Sequence, residues 1–311
     1  MREFFMSIIN AANQLSTNGK KVCLAIGFFD GVHLGHQQIL RQTLSDAHKS
    51  NGIALALTFD KHPNAIVAPD KAPPLIYSLP QKLRAIQSLG IENILLIPFD
   101  TPFSQQTGEQ FIRSLASDLG KIHSICVGAE FVFGHKRSGN VALLKTLGAE
   151  LGFQVHGLSA VALDGQTVSS TRIREAIRAG DIDETCQMLG RPYAISGKVV
   201  MGDKIGRKLG FPTANLDVTG LVLPPNGVYA AFTKIRSKQY RVALNIGVRP
   251  TVSAGMQLRV EGHLLDYHGE LYGKELEIEI CEKLRDEKKF SSPEELKEQI
   301  ARDVAGVRQR S

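Results

Sequence analysis

Apolar, β-branched runs alternate with segments of helical period through the first half of the chain. The runs at 21–29, 53–59, 93–99, 122–127 and 153–158 each end in polar or Gly-rich residues, the pattern of strands buried on both faces. Between them Leu40, Leu44 and Ala47, then Leu79, Leu83, Ile86 and Leu89, then Phe111, Leu115 and Leu119, then Leu143, Leu144 and Leu147 recur at helical spacing. Strand alternating with helix predicts an α/β domain built on a doubly wound parallel sheet. Such sheets take their ligands at the carboxyl ends of the strands, so chemistry is expected in the segments after Phe29, Phe59 and Val127.

A helical stretch at 170–189 closes this half, and the pattern changes at Gly190-Arg191-Pro192-Tyr193, a turn-like seam. Beyond it, strand-like runs at 194–200, 228–235, 240–246, 258–267 and 276–281 are separated by Gly and Pro turns with no helix between them. Closely spaced strands of this kind predict an antiparallel barrel. Ser292, Pro293 and Glu295 then announce one terminal helix, as a capping box with Pro at the first helical position. The expected division is a domain of residues 1–189 and a second of residues 190–311, and a chain of 311 residues favours two domains on length alone.

Composition adds limits. Hydrophobic residues at 43% and charged residues at 22% exclude disordered and fibrous classes. The excess of 37 Lys and Arg over 31 Asp and Glu, a net charge of +6, favours anionic ligands. Long Lys/Arg runs are absent and Trp is missing altogether, which argues against an extended nucleic-acid surface. Cys23, Cys126, Cys186 and Cys281 are scattered with no CxxC pair, as in a reducing compartment. No signal-like segment opens the chain, and no apolar run approaches the roughly 18 residues of a membrane helix, so a cytoplasmic protein without a membrane partner is expected.

The first strand runs through Gly27, Phe28, Phe29, Asp30, Gly31, Val32, His33, Leu34, Gly35 and His36 straight into a helix. A loop of this kind brings backbone N–H groups and the positive end of a helix dipole to one point, which suits phosphate. Gly31 and Gly35 allow close approach, and His33 and His36 can donate hydrogen bonds to oxygens that gain charge as pyrophosphate departs. Two histidines three apart also fit a metal site or a plain polar helix start, although no Cys or carboxylate partner stands nearby. Ser170, Thr171, Arg172 and Arg174 open another predicted helix, either as ordinary caps or as a triphosphate clamp in which Arg supplies a planar fork of donors.

In the second half, Gly202, Lys204, Gly206, Arg207 and Gly210 form a basic, Gly-rich segment suited to polyphosphate, without the GK[ST] of a Walker loop. Thr213 and Asn215 follow with uncharged oxygens of the kind Mg²⁺ accepts. Glu261 sits in an alternating strand, where a solvated side chain is the plainer reading and a base acting on an alcohol the functional one.

GFFDGVHLGHQ followed by SSTRIR resembles the adenylyltransferase module of bacterial bifunctional riboflavin kinase/FAD synthetases, within the HxGH nucleotidylyltransferase superfamily. GDKIGRKLGFPTANL, PPNGVYAAF, NIGVRPT, VEGHLLDY and LYGKELEIEI are similar to successive segments of the flavokinase domain, so the likeness spans about 22–304 in motif order. The resemblance implies that Gly27, Phe29, Asp30, Gly31 and Gly35 surround ATP, that His33 and His36 stabilise the attacked α-phosphate, and that Ser170, Thr171 and Arg174 hold the outer phosphates. The FMN phosphate then attacks and pyrophosphate leaves. It implies flavin contacts at Asp60 and His62, in the Thr58–Pro63 segment, and at Glu130 and Phe131. For the second half it implies a six-stranded barrel, Mg²⁺ and nucleotide at Thr213 and Asn215, and Glu261 as base towards the ribityl 5′-hydroxyl of riboflavin. ATP, riboflavin and FMN are then the substrates, with Mg²⁺ as cofactor and no nucleic-acid or membrane partner. Where the family commonly reads VGxDFRFG and RxGD, this chain has VGAEFVFG and RSGN, so Val132 replaces a cation and Asn140 a carboxylate, and Val252 stands where many members have Phe. Two rival readings are a kinase whose first domain has drifted and a flavin- or nucleotide-binding regulator that holds RNA.

Overall fold

A computed structural model describes residues 7–203, 205–250 and 256–310. They divide into two units, one comprising the described residues up to Leu75 with Leu79–Ser170, the other Ile76–Ser78 and the described residues from Thr171 onward.

The first unit is built on strands β1 Ser7–Ile9, β2 Val22–Ile26, β3 Ile53–Phe59, β4 Asn93–Ile97, β5 Ile122–Gly128 and β6 Gln154–Leu158, with helices α1 Leu34–Lys49, α2 Leu79–Gln87, α3 Gly108–Leu119 and α4 Val141–Leu151. The sheet order is β1-β4-β3-β2-β5-β6 and every pairing is parallel. β2 lies near the middle and is buried throughout. Its alternate residues serve opposite layers: Val22, Leu24 and Ile26 pack with Phe111, Ile112, Leu115, Leu144 and Leu147, while Ala25 packs with Leu40, Leu83 and Ile86. Burial on both faces is why this run is uninterrupted rather than alternating. The chain reverses its direction of travel across the sheet between β2's neighbours β3 and β5, so the loop after β2 opens at a topological switch point.

The expected strands at 21–29 and 93–99 stop earlier, at Ile26 and Ile97, because their last residues leave the ladder to form loops. β1 was not expected; it is three edge residues, two of them exposed, too short for a buried apolar run. The helical stretch expected at 170–189 is two helices, α5 Ser170–Ala179 and α6 Ile182–Leu189. Gly180, at φ +80°, breaks it, and Asp181 caps the second helix by accepting from the Glu184 N–H at 2.9 Å.

The second unit contains a closed barrel of β7 Ala194–Val200, β8 Ala214–Leu216, β9 Gly227–Ile235, β10 Lys238–Pro250, β11 Met256–Leu264 and β12 Glu275–Arg285, in the order β7-β8-β11-β10-β9-β12. Every pairing is antiparallel, and closure leaves no free edge. The terminal helix α7, Pro293–Gln309, starts as the sequence implies: Ser292 Oγ accepts from the Glu295 N–H at 3.1 Å. Glu295 returns its carboxylate to Ser291 rather than to Ser292, so the box closes one residue early.

α7 is pinned by Asp303, which takes two bonds from Arg285, at 2.9 and 2.7 Å, and one from Gln299 at 2.8 Å. Asp303→Ala leaves the Arg285 guanidinium without its partner. Breaking a buried pair in this way costs ~3–5 kcal/mol. The Arg285 side chain is 22% exposed, so water offsets part of that and the loss falls at the lower end. Thermal unfolding is expected to show the barrel's transition lowered by several degrees.

Candidate functional sites

At the carboxyl end of β2 the backbone takes a contorted path. Phe29 and Val32 have φ of +56° and +42°, and Gly31 between them has +71°. A buried β-branched residue at positive φ is a genuine outlier, with a strain on the order of 1–3 kcal/mol. The Gln37 side chain offsets it by donating to the Val32 carbonyl at 3.1 Å, and Arg41 braces Gln37 at 3.0 Å. The turn places His33 at the N-cap position of α1, with His36 one turn inside. Their rings stack with centroids 3.7 Å apart, and Phe29 meets His36 edge-on at 5.3 Å. A Cβ at residue 35 would lie 3.2 Å from the His33 ring, so Gly35 is what lets that ring lie over the helix start. Asp30 is 2% exposed, and Ser170 Oγ donates to its carbonyl at 3.3 Å. Thus Gly27, Phe29, Asp30, Gly31, His33, Gly35, His36 and Ser170 fall in one neighbourhood; Thr171 and Arg174 lie further along α5, counted with the second unit.

The loop after β3 lies beside this turn. Asp60 accepts from the Phe99 N–H at 2.8 Å, and the His62 ring meets Phe28 edge-on at 4.9 Å. Phe59, Phe99, Phe103, Phe111 and Phe133 continue as a chain of ring contacts to Phe131, which stacks on Phe133 at 5.1 Å. Glu130 is exposed just before a short antiparallel pair formed by Val132–Phe133 and Gly139–Asn140. The departures from the family pattern at Val132 and Asn140 land where the fold tolerates them. Val132 is 40% exposed, and Asn140 caps α4 by accepting from the Leu143 N–H at 2.9 Å, a task Asn performs about as well as Asp.

Lys82 was not among the expected residues. On α2 its side chain is 3% exposed, and Nζ donates to the carbonyls of Phe59 at 2.8 Å and Phe28 at 3.2 Å. Burial lowers its pKa to about 8, against the opposing pull of the Asp30 and Asp60 carboxylates.

In the barrel, β8, β11 and β10 bring Asn215, Glu261 and Asn245 into one row, Asn215 opposite Glu261 and Glu261 opposite Asn245. They face a cavity of about 270 Å³ with Thr213, Arg259 and His263. A second cavity, of about 100 Å³, is lined by Gly202, Arg207, Thr213, Asn215 and Tyr272. Thr213 and Asn215 therefore form a wall common to both. His263 Nδ1 lies 2.8 Å from the Pro212 carbonyl and steadies that wall. Gly202 and Gly206 admit no side chain because the Asn215 carboxamide and the Phe211 carbonyl fill that space; Gly210 follows at φ +93°. Lys204 and Val252 lie outside the described residues. Arg259, also not expected, donates to Glu261 at 3.1 Å and to Asp203 at 2.7 Å.

The FAD synthetase family model matches residues 15–172 and the riboflavin kinase family model residues 189–311. A bifunctional riboflavin kinase/FMN adenylyltransferase of Escherichia coli K12 is 37% identical over 98% of this chain and 97% of its own length. The chain belongs to the bifunctional riboflavin kinase/FMN adenylyltransferase family. The relative bearing the same name in Haemophilus influenzae is 36% identical over 96% of this chain and 97% of its own. A solved structure from Streptococcus pneumoniae, described as a macrolide-efflux protein, superposes with a TM-score of 0.82 at 28% identity, covering 99% of this chain and all of that one. No helix among the described residues is long and apolar enough to cross a membrane. As a bifunctional riboflavin kinase/FMN adenylyltransferase, the chain phosphorylates riboflavin to FMN and adenylylates FMN to FAD. Neither a kinase with a drifted first domain nor an RNA-holding regulator is favoured.

Proposed function

We propose that riboflavin phosphorylation takes place across the Thr213–Asn215 wall, with riboflavin on the Glu261 side and ATP on the Arg207 side. The observation that carries this is that Thr213 and Asn215 border both cavities while Glu261 borders only the larger. Glu261 then accepts the proton of the ribityl 5′-hydroxyl as that oxygen attacks the γ-phosphorus and ADP leaves. Gly202 and Arg207 border the phosphate side, Gly206 borders the larger cavity, and Lys204 and Gly210 belong to the same segment. No cluster of three or more His, Cys, Asp or Glu ligands occurs among the described residues, so a resident all-protein metal cage is not what this wall resembles. Thr213 and Asn215 instead offer neutral oxygens, a donor set that fits Mg²⁺ shared with nucleotide phosphates. When bound, Mg²⁺ would neutralise phosphate charge.

Adenylyl transfer is assigned to the turn after β2. His33 and His36, with the α1 N-terminus, stabilise charge on the α-phosphate, and Gly27, Phe29, Asp30, Gly31 and Gly35 shape its surroundings. Ser170, Thr171 and Arg174 keep the role in holding outer phosphates that their motif implies. Asp60, His62, Glu130 and Phe131 serve the FMN side of the reaction, where the attacking phosphate enters, with the phenylalanine chain beside them as an apolar stacking surface. Residues 1–189 serve this transfer and 190–311 the kinase, in a cytoplasmic enzyme whose partners are small molecules.

Asn215→Ala tests the shared wall. Riboflavin phosphorylation is expected to fall and to require more Mg²⁺ for half-maximal rate, with FMN→FAD unchanged. An unaltered Mg²⁺ titration would count against the assignment.

A further inference from the structure

We propose that Lys82 is a positioning residue for adenylyl transfer: its ammonium ties the Phe28 end of β2 to the Phe59 end of β3 and thereby holds the turn that aims His33 and His36. This rests on the reading of those histidines as α-phosphate groups.

The two carbonyls bonded to Lys82 Nζ lie where adjacent strands give way to the two loops of the site. Thr58 Oγ1 donates to the same Phe28 carbonyl at 2.9 Å, so that oxygen is a junction between β2, β3 and α2. The ammonium also stands 4.2 Å over the face of the Phe28 ring, which the His62 ring meets edge-on. One cation is thus engaged with the Phe28 segment by a hydrogen bond and a ring face, and with the Phe59 segment by a second hydrogen bond. The next residue after Phe28 is the positive-φ Phe29, the start of the strained turn. A strained backbone persists only where its surroundings over-determine it, and Lys82 supplies one of the fixed points.

An apolar side chain would fill this space without the desolvation penalty of a buried charge. Keeping an ammonium there instead marks a site where charge serves the chemistry. The charged groups facing it are the carboxylates of Asp30, from the turn, and Asp60, from the loop after β3. Lys61 lies 3.7 Å from Asp60, and the His62 ring meets the Phe28 ring edge-on. Loss of the proton removes the charge that balances Asp30 and Asp60 and weakens the hold on both carbonyls. With the pKa lowered to about 8, that loss occurs at mildly alkaline pH.

The test uses the full chain, whose riboflavin kinase activity reports on integrity of the preparation. Lys82→Met is expected to lower kcat for FMN→FAD about 100-fold, the effect of displacing a reacting group by ~1 Å, with riboflavin→FMN unchanged. In the wild type, the ratio of the FMN→FAD rate to the riboflavin→FMN rate is expected to fall as pH rises through about 8. Full FMN→FAD activity in Lys82→Met overturns the proposal. If the variant loses both activities, the wild-type ratio decides, and a ratio that stays level across the alkaline range overturns it. His33→Ala separates the two readings: loss there, with retention in Lys82→Met, removes the Lys82 inference alone.

Discussion

Glu261→Gln is expected to abolish most riboflavin phosphorylation and to leave FMN→FAD at its wild-type rate. Gln keeps the volume of Glu and can still accept a hydrogen bond from Arg259, which reaches Glu261 at 3.1 Å. It cannot take up the proton of an attacking hydroxyl. Removing a general base in this way costs about 10²–10⁴-fold in rate. The register explains why the effect should be confined to one transfer: Glu261 stands between Asn215 and Asn245 in the barrel row that faces the larger cavity. Steady-state FMN formation from riboflavin and ATP measures it. Phosphorylation that survives within a few-fold would mean that solvent or another group removes the proton.

The complementary result is expected from His33→Ala and His36→Ala, each lowering FMN→FAD by about 10²–10³-fold in kcat, the loss seen when one donor to a developing oxyanion is removed. Riboflavin phosphorylation should be untouched, since both histidines belong to the turn after β2. The rings are stacked at 3.7 Å, so deleting either also loosens the other, and the double variant should lose less than the product of the single losses. Conversion of supplied FMN to FAD, followed by chromatography, measures each. Near-normal FAD formation by both single variants would refute the α-phosphate role.

Much of this was legible along the chain because it rests on local signals. Buried parallel strands announce themselves as continuous apolar runs, and the turn after β2 carries its glycines and histidines in ten consecutive residues. Thr213, Asn215 and Glu261 could be named as candidates, yet only strand register shows that Asn215 and Glu261 are direct neighbours. Asn245, in the same row, is the one polar side chain in the run Val242–Val248 and could have been suspected on that ground. Lys82 could not. Between Leu79, Leu83 and Ile86 it reads as a polar residue of an amphipathic helix, and its burial depends on where α2 meets two distant strand ends. Arg259 is hidden for the same reason, since one of its partners, Asp203, is 56 residues away. The break at Gly180 was visible as a residue but not as a boundary, because glycine within a helical pattern is often tolerated.

The most direct test of the whole account is a time course of the purified chain with riboflavin, ATP and Mg²⁺, with the flavins separated by chromatography. FMN should appear first and then decline as FAD accumulates, two successive products of one polypeptide. FMN accumulating without FAD, or no product from riboflavin while FMN is still converted, would contradict the claim that this one chain carries both transfers.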